Sequence, residues 1–237
     1  MKLILLPGLD GLGLLLDHFT AALPATAHHE IIRYPPDVYL SYEELAGRIR
    51  DLLPRDGPYI ILAESYSGPL ALQFAARPVG DLRAVVLVAS FASYPWGRFG
   101  PWIARLRLAP VFRRRPPLWL LQWFLMDGLA SRDDLAKVRE TIASVHPEVL
   151  ASRLKEVLCI DRTALLREAR VRLVVLMAAA DRLIGQRASR TFLQASPSPE
   201  VLTIQAPHLL LQCAPNEARD ALIRLGLLDA PILRTRT

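Results

Sequence analysis

The chain has 237 residues, of which 52% are hydrophobic, and its formal net charge is +6. This length suits one α/β domain with an insertion better than two separate domains. No apolar run reaches the roughly 18 uncharged residues that span a bilayer, which argues against a transmembrane protein. The apolar start Met1–Leu6 imitates a signal peptide, but Pro7 and several glycines interrupt it. Two cysteines are too few for a disulfide framework, so we expect a cytoplasmic protein.

Short β-rich apolar runs alternate with helical patterns along the chain. The predicted strands are Leu3–Leu6, Ile31–Tyr34, Tyr59–Ala63, Ala84–Ala89, Leu173–Met177 and Val201–Ile204. The predicted helices are Leu14–Ala22, Ser41–Leu53 with a capping box formed by Ser41 and Glu44, one after Ser65, Arg187–Leu193 and Asn216–Leu225. This alternation predicts an α/β fold with a shortened, mostly parallel sheet of about six strands flanked by helices.

The alternation stops between Ala89 and Leu173, where the pattern becomes helical. We therefore predict a core of residues 1–90 and 171–237 and a helical cap, or lid, of residues 91–170. The positive charge is concentrated in residues 91–126, which hold six arginines, no Asp or Glu, and all four tryptophans. The basicity of the protein is therefore local.

A candidate nucleophile follows the third predicted strand. The strand runs directly into the turn Glu64-Ser65-Tyr66-Ser67-Gly68 and then into a helical pattern. A reactive serine at such a junction needs small residues two positions before and after it, and Ala63 and Ser67 meet that need. The N-terminal end of the next helix favours the negative charge that develops in acyl transfer. We predict that Ser65 is the nucleophile; the simpler interpretation makes it a helix N-cap.

A serine hydroxyl needs an imidazole to take its proton and a carboxylate to orient that imidazole. Of five histidines, His208 alone follows the last predicted strand, where a loop would bring it beside Ser65. Asp181 lies just beyond the penultimate strand and is the candidate acid, and Asp10 and Asp161 are less well placed alternatives. An ordinary loop role stays open for both His208 and Asp181.

The glycine-rich segment Pro7–Gly13 follows the first predicted strand. Backbone amides of Leu9 and Tyr66 are the candidate donors to an oxyanion. Glycines after a strand also occur in nucleotide sites, but the G-x-G-x-x-G spacing and a P-loop lysine are both absent.

Four short segments, in this order, resemble motifs of the α/β-hydrolase superfamily, and the chain looks most like its small bacterial esterase or lysophospholipase-like members. Two positions differ from the usual pattern. Pro7 stands where many relatives carry histidine, and Ala63 replaces the first glycine around the serine. The four segments are Leu6–Gly11, Ala63–Gly68, Ala180–Leu183 and Pro207-His208.

The resemblance implies a serine hydrolase that cleaves a carboxylic ester or thioester through an acyl-enzyme on Ser65, with His208 as base and Asp181 as acid. Such a mechanism needs no metal or organic cofactor. Two alternatives stay open, because fold and function are separable. One is a non-hydrolytic protein, such as a lyase or a binding protein, and the other is a peptidase or C–C bond hydrolase with the same three residues.

The cap sets substrate choice in proteins of this type, and here it is aromatic and rich in arginine. It suggests a lipid-like acyl substrate, or one held on an acidic acyl-carrier protein or an anionic membrane surface. Alternatively, the aromatic residues only pack the cap on the core while the arginines stay solvated. No nucleic-acid-binding module accompanies the basic segment, so we expect no nucleic acid partner. The candidate substrate-binding residues are Trp96, Trp119, Trp123, Arg113, Arg114 and Arg115.

Overall fold

The computed structural model describes residues 1–93, 99–114, 117–128, 131–184, 186–195 and 200–229. Within them, six strands form one sheet in the order β2-β1-β3-β4-β5-β6, and every neighbouring pair is parallel. The predicted α/β fold class is confirmed. The strands are β1 (Lys2–Leu6), β2 (His29–Ile31), β3 (Pro58–Glu64), β4 (Asp81–Val88), β5 (Arg172–Ala178) and β6 (Glu200–Ile204).

Helices connect the strands and cover both faces of the sheet. Short 3-10 turns occupy Leu14–Leu16 and Ser65–Ser67, and a π-helical turn occupies Gln122–Met126. None of the helices in the described ranges is long and apolar enough to cross a bilayer. The α-helices are α1 (Asp17–Ala22), α2 (Tyr42–Leu52), α3 (Gly68–Ala76), α4 (Gly100–Ala104), α5 (Ala109–Arg113), α6 (Leu118–Leu121), α7 (Arg132–Ala143), α8 (Pro147–Cys159), α9 (Thr163–Arg167), α10 (Gln186–Ala195), α11 (Leu210–Cys213) and α12 (Pro215–Arg224).

Strands β1 and β3 are almost continuously apolar because both faces of the sheet are buried at its centre. In β1, Leu3 and Leu5 share a core with residues of α1 and α12. Ile4 and Leu6 point to the other face and share a core with residues of α2 and α3. Because the strands are all parallel, the carboxyl ends of β1, β3, β5 and β6 lie along one edge of the sheet.

The second strand is shorter and earlier than predicted. The prediction placed it at Ile31–Tyr34, but β2 covers His29–Ile31. Beyond β2 the backbone turns away from the sheet, and the amide of Tyr34 donates a 2.8 Å hydrogen bond to the Gly11 carbonyl in the loop after β1. The Ile32 amide still donates a 3.0 Å hydrogen bond to the Leu5 carbonyl of β1, but Tyr34 is buried by packing on the loop after β1, so the apolar run continues past the end of the strand.

The chain between β4 and β5, residues 89–171, contains helices α4 to α9, and we call it the β4–β5 insertion. Helix α8 packs against α4 and α5. Val157 of α8 and Leu166 of α9 join the core on the sheet. The insertion therefore shares the main hydrophobic core, and its division into a separate cap domain stays a prediction.

Candidate active site

Ser65 lies in a strained turn where β3 ends and α3 begins. Its φ angle is 47°, in the left-handed region that residues other than glycine rarely adopt. Ser90, just after β4, stabilises the turn, because its hydroxyl donates a 2.6 Å hydrogen bond to the Ser65 carbonyl. A Cβ atom on Gly68 would come within 1.7 Å of that same hydroxyl. The glycine is thus required for α3 to approach Ser90 closely enough to hold the turn.

Ser67 joins this turn to the loop after β1. Its side chain is completely buried, and its hydroxyl donates a hydrogen bond to the Pro7 carbonyl. The Tyr34 hydroxyl donates to the Ser67 oxygen across 2.6 Å. The small residue expected two positions after Ser65 therefore has a second role, since it fixes the distance between the serine turn and the glycine-rich loop.

The structure brings Ser65, His208 and Asp181 into one hydrogen-bonded chain. His208 Nε2 lies 2.9 Å from Ser65 Oγ, and His208 Nδ1 lies 2.8 Å from Asp181 Oδ2. With its proton on Nδ1, the neutral imidazole donates to the carboxylate and accepts from the serine hydroxyl. The three groups are thus arranged for proton transfer from the serine to the imidazole.

Asp181 is held as a carboxylate. Burial alone would raise its pKa, but the charge and hydrogen bond of His208 and the amides of Ile184 and Leu183 outweigh that effect, so the pKa is lowered. Both amides donate to the oxygen that does not contact the histidine, at 2.8 Å and 2.9 Å. A permanent negative charge beside His208 stabilises the imidazolium form.

The two alternative acids are engaged elsewhere. Asp10 accepts from the amides of Leu12 and Gly13, so it shapes the glycine-rich loop. Asp161 accepts from the amide and hydroxyl of Thr163 at the start of α9. These contacts leave Asp181 as the carboxylate that orients His208.

Glu64 is a buried carboxyl group immediately before the serine. Gln212 donates a 3.1 Å hydrogen bond to it. Burial raises the pKa of Glu64 to about 7, and the charge of the neighbouring Asp10 adds to this effect while the Gln212 hydrogen bond opposes it. Glu64 therefore holds a proton up to near-neutral pH, although the sequence analysis gave it no role beyond its place in the motif.

A small apolar cavity opens beside Ser65. Its volume is about 70 Å³. Leu9 and Tyr66, the predicted oxyanion donors, line it together with Ser65, so the structure brings these three residues to one space. The remaining lining residues are apolar side chains from the β4–β5 insertion and from the loop that follows Asp181, namely Phe91, Leu154, Val157, Leu158, Leu183 and Ile184.

Helix α8 holds the glycine-rich loop through Arg153, whose side chain is 1% exposed. Its guanidinium donates to the carbonyls of Leu9, Asp10 and Pro35 at 2.8–2.9 Å. A Cβ atom on Gly11, which has a φ of 73°, would come within 2.8 Å of the same guanidinium. Arg153 therefore fits tightly into the loop and fixes the peptide units around Leu9.

One turn further along α8, Glu156 contacts Tyr66, the other predicted oxyanion donor. It accepts hydrogen bonds from the Tyr66 hydroxyl at 3.3 Å and from the Tyr42 amide at 2.8 Å. The Tyr42 ring stacks on Tyr66 with 4.7 Å between centroids, and its hydroxyl donates to the Tyr66 carbonyl. A single helix thus supports both residues whose amides are the predicted oxyanion donors.

No protein-family model matches this chain, and no curated protein matches it. Among solved structures, it is similar to a hydrolase from Oleispira antarctica, with a TM-score of 0.79 at 13% identity over 94% of this chain and 90% of that one. It is also similar to a thermophilic esterase from Thermogutta terrifontis, with a TM-score of 0.76 at 19% identity over 95% of this chain and 89% of that one. A bromoperoxidase from Bacillus anthracis has a TM-score of 0.75 at 15% identity, over 95% of this chain and 91% of that one.

The chain has the α/β-hydrolase fold. The resemblance found in the sequence is thereby confirmed at the level of the fold. These identities are all below 20%, so they carry no information on substrate.

The four predicted substrate-binding residues that the structure describes, Trp119, Trp123, Arg113 and Arg114, lie outside the lining of the Ser65 cavity. Arg113 is exposed and pairs with Glu148 at 2.7 Å. Arg114 and Trp119 are also exposed. Trp96 and Arg115 lie outside the described residues.

Trp123 is exposed as well, but it contacts the neighbour of the predicted acid. The Arg182 guanidinium lies 3.9 Å from the centre of the Trp123 ring and forms an ion pair with Asp127 at 2.5 Å. The Leu209 amide, next to His208, donates a 3.0 Å hydrogen bond to the Leu125 carbonyl. The π-helical turn therefore packs behind the loops that carry Asp181 and His208.

The sequence analysis did not identify Arg153 or Glu156 as functional. One signal was present in the spacing, because Val149, Arg153 and Val157 recur every four residues and so share one face of α8. An arginine in line with an apolar stripe indicates a buried guanidinium, which must find several acceptors. The pattern does not reveal which acceptors these are.

Proposed function

We propose that this protein is a serine hydrolase that cleaves carboxylic esters or thioesters with a small apolar acyl group. The observation that carries the proposal is the hydrogen-bonded chain from Ser65 through His208 to Asp181, which ends at an apolar cavity. The strained serine turn and the similarity of the backbone to hydrolases and an esterase support it.

In the first step, Ser65 Oγ forms a bond to the acyl carbon while His208 Nε2 takes the hydroxyl proton. The electron pair of the carbonyl moves to its oxygen, which accepts hydrogen bonds from the amides of Leu9 and Tyr66. When the carbonyl re-forms, the bond to the leaving oxygen or sulfur breaks, and His208 gives its proton to the leaving alcohol or thiol. The products are an acyl-enzyme and the first leaving group.

In the second step, water repeats the attack on the acyl-enzyme. His208 takes one proton from the water, whose oxygen bonds to the acyl carbon, and the bond to Ser65 then breaks. The proton returns to Ser65, and the carboxylic acid leaves. Asp181 stays ionised throughout and stabilises the imidazolium in both steps.

The cavity volume favours a short acyl chain. Because a water molecule needs about 10–15 Å³ by the same measure, a cavity of about 70 Å³ holds about five to seven groups of that size. Since the carbonyl oxygen takes the place of one of these groups, the remaining space corresponds to an acyl chain of about C4 to C6. We therefore propose a narrower class of substrates than the lipid-like acyl substrates that the composition of the cap suggested.

Hydrolysis of p-nitrophenyl esters from C2 to C16 tests the proposal, with wild type and Ser65→Ala compared under the same conditions. We expect the highest kcat/KM near C4 to C6, a decline for longer chains, and turnover in the variant lower by about 10⁵-fold or more. Equal thermal melting of the two proteins is the control for folding.

Three other outcomes would each change the proposed mechanism or function. Activity that persists in Ser65→Ala would overturn the serine mechanism. A folded wild-type protein that turns over no ester or thioester would favour a non-hydrolytic role on the same fold. Activity on peptides or on C–C bonds, with none on esters, would retain Ser65 but change the substrate class.

A further inference from the structure

Exposed apolar side chains are concentrated in one part of the β4–β5 insertion. Of the 14 large apolar side chains that are exposed in the described residues, eight lie between residues 99 and 124. Trp102 and Trp119 are 70% and 69% exposed, and Leu106, Val111 and Trp123 are 57–59% exposed. Such a density of exposed apolar surface marks an interaction site rather than ordinary surface.

The charge of the same stretch is of one sign. Residues 99–126 of the sequence contain Arg105, Arg107, Arg113, Arg114 and Arg115 and no Asp or Glu. Arginines interleaved with exposed tryptophans, without acidic residues, are typical of segments that lie in the interface of an anionic bilayer. An acidic protein partner could also cover exposed aromatic side chains, so its binding is a separate outcome of the test below.

A basic cleft lies within this surface. It has a volume of about 390 Å³ and is lined by Arg107, Arg113 and Lys155, with Glu148 as the single acidic lining residue. Glu148 pairs with Arg113, and no ion pair of Arg107 or Lys155 is found within the described residues. Two positive charges are therefore available to an anion of headgroup size.

The cleft and the apolar side chains adjoin each other along the chain. Leu106 immediately precedes Arg107, and Val111 lies between two residues of the cleft lining, Pro110 and Arg113. Trp102 lies one turn before Leu106, and the Arg105 guanidinium stacks on its ring at 5.3 Å. The arrangement combines groups that insert among acyl chains with groups that bind phosphate.

We propose that helices α4 and α5 and their connection form a docking surface for a membrane that contains anionic phospholipid. Trp102, Leu106 and Val111 enter the interface, and Arg107 and Lys155 bind lipid phosphate at the basic cleft. Helix α8 lines both this cleft and the Ser65 cavity, through different residues. Docking would therefore bring the cavity close to the lipid surface. The proposal does not depend on ester hydrolysis.

The tryptophans supply a direct probe, because all four lie in residues 91–126. Tryptophan emission and co-sedimentation are measured with vesicles of phosphatidylcholine and phosphatidylglycerol in equal amounts, and with vesicles of phosphatidylcholine alone. We expect a blue shift and sedimentation with the anionic vesicles at low salt. Both should decline at about 1 M salt, where the Debye length is about 3 Å.

Two double variants separate the apolar and charged contributions. Trp102→Ala with Leu106→Ala should weaken sedimentation with the anionic vesicles at least tenfold. Arg107→Gln with Lys155→Gln should weaken it about 25-fold, since each charge near the surface contributes about fivefold.

The matched controls change residues of the same types elsewhere on the surface. Leu52→Ala with Leu193→Ala removes two exposed leucines, and Arg48→Gln with Arg55→Gln removes two exposed arginines. Both controls should bind like wild type.

Three results would overturn the proposal. The first is absence of a blue shift and of sedimentation for wild type at low salt. The second is equal binding to neutral and anionic vesicles, or equal binding by the variants and their controls. The third is binding of this surface to an acidic carrier protein, or to a second copy of the chain, without binding to vesicles. None of these assays measures ester hydrolysis, so an absence of vesicle binding would leave the proposed function unchanged.

Discussion

Two regions of the β4–β5 insertion use arginine in opposite ways. Helix α8 buries Arg153, which donates to three backbone carbonyls around the Ser65 cavity. Helices α4 and α5 leave Arg107 and Arg114 at the surface among exposed tryptophans and leucines. The difference follows from the helical face, because Arg153 shares its face with Val149 and Val157. The same residue type therefore supports the loop beside Ser65 in one region and stays at the surface in the other, where we propose that it binds lipid phosphate.

Around the Ser65 cavity, which α8 supports, the largest effect should come from Asp181, in the loop after β5. Asp181→Asn keeps the shape of the side chain but removes the charge that stabilises the imidazolium, so we expect kcat for a C4 ester to fall by about 10⁴-fold. Asp161→Asn is the matched control, since Asp161 only accepts from Thr163 at the start of α9. Similar losses in both variants would contradict the assignment of Asp181.

Arg153→Met should give the next largest effect. Methionine fills part of the volume but leaves the carbonyls of Leu9, Asp10 and Pro35 without their donor, so we expect the free energy of unfolding to fall by about 3–5 kcal/mol. Displacement of the Leu9 amide should also lower kcat by up to about 100-fold, with a smaller change in KM.

Urea denaturation and ester kinetics measure these two quantities for Arg153→Met. Arg48→Met, at an exposed position on α2, is the control. A stable Arg153→Met protein with normal kcat would show that α8 does not position the loop. Arg153→Lys should recover only part of kcat, because an ammonium group cannot reproduce the fork of a guanidinium.

Glu64 should make the stability of the folded protein depend on pH. Its pKa is about 7 in the folded protein and has its ordinary value near 4.5 when unfolded. Between these values the folded state holds the proton and the unfolded state has lost it, so the free energy of unfolding falls as pH rises. Relative to Glu64→Gln, wild type should lose up to about 3 kcal/mol between pH 5 and pH 8.

Urea titrations of wild type and Glu64→Gln at these two pH values measure this loss. A difference in stability that stays constant with pH would rule out the titration of Glu64 in this range.

Substitution of an exposed aromatic residue of the insertion should have the smallest effect on stability. Trp119→Ala removes a side chain that is largely in solvent, and we expect the free energy of unfolding to change by about 0.5 kcal/mol or less. Phe74→Ala, at a completely buried position in α3, should lower it by about 3–5 kcal/mol. Comparable losses in the two variants would mean that Trp119 packs on the protein.

Much of the sheet edge that carries Ser65 could be predicted from the sequence because its signals are local. The apolar runs of β1 and β3 lead directly into the glycine-rich loop and the serine turn, and the order of Ser65, Asp181 and His208 fits the fold. The register of β2 was not predictable, since Ile32 and Tyr34 satisfy an apolar pattern whether they pair or pack in a loop.

The roles of the insertion depend on tertiary packing and could not be predicted to the same extent. The composition of residues 91–126 indicated aromatic and basic surface, but it did not show whether Trp119 and Trp123 face the cavity or the solvent. Conversely, Arg153 belongs to an ordinary amphipathic helix, and its acceptors come from loops more than 100 residues earlier in the chain. Such contacts are decided by how helices dock and not by local pattern.

The most direct test of the central claim is labelling with a fluorophosphonate probe, followed by mass spectrometry of the intact protein and of its peptides. We expect one adduct on the peptide that contains Ser65 in wild type, slower labelling in Asp181→Asn, and no adduct in Ser65→Ala. An adduct on a different serine, or a folded wild-type protein that does not react, would contradict the assignment of Ser65 as an activated nucleophile.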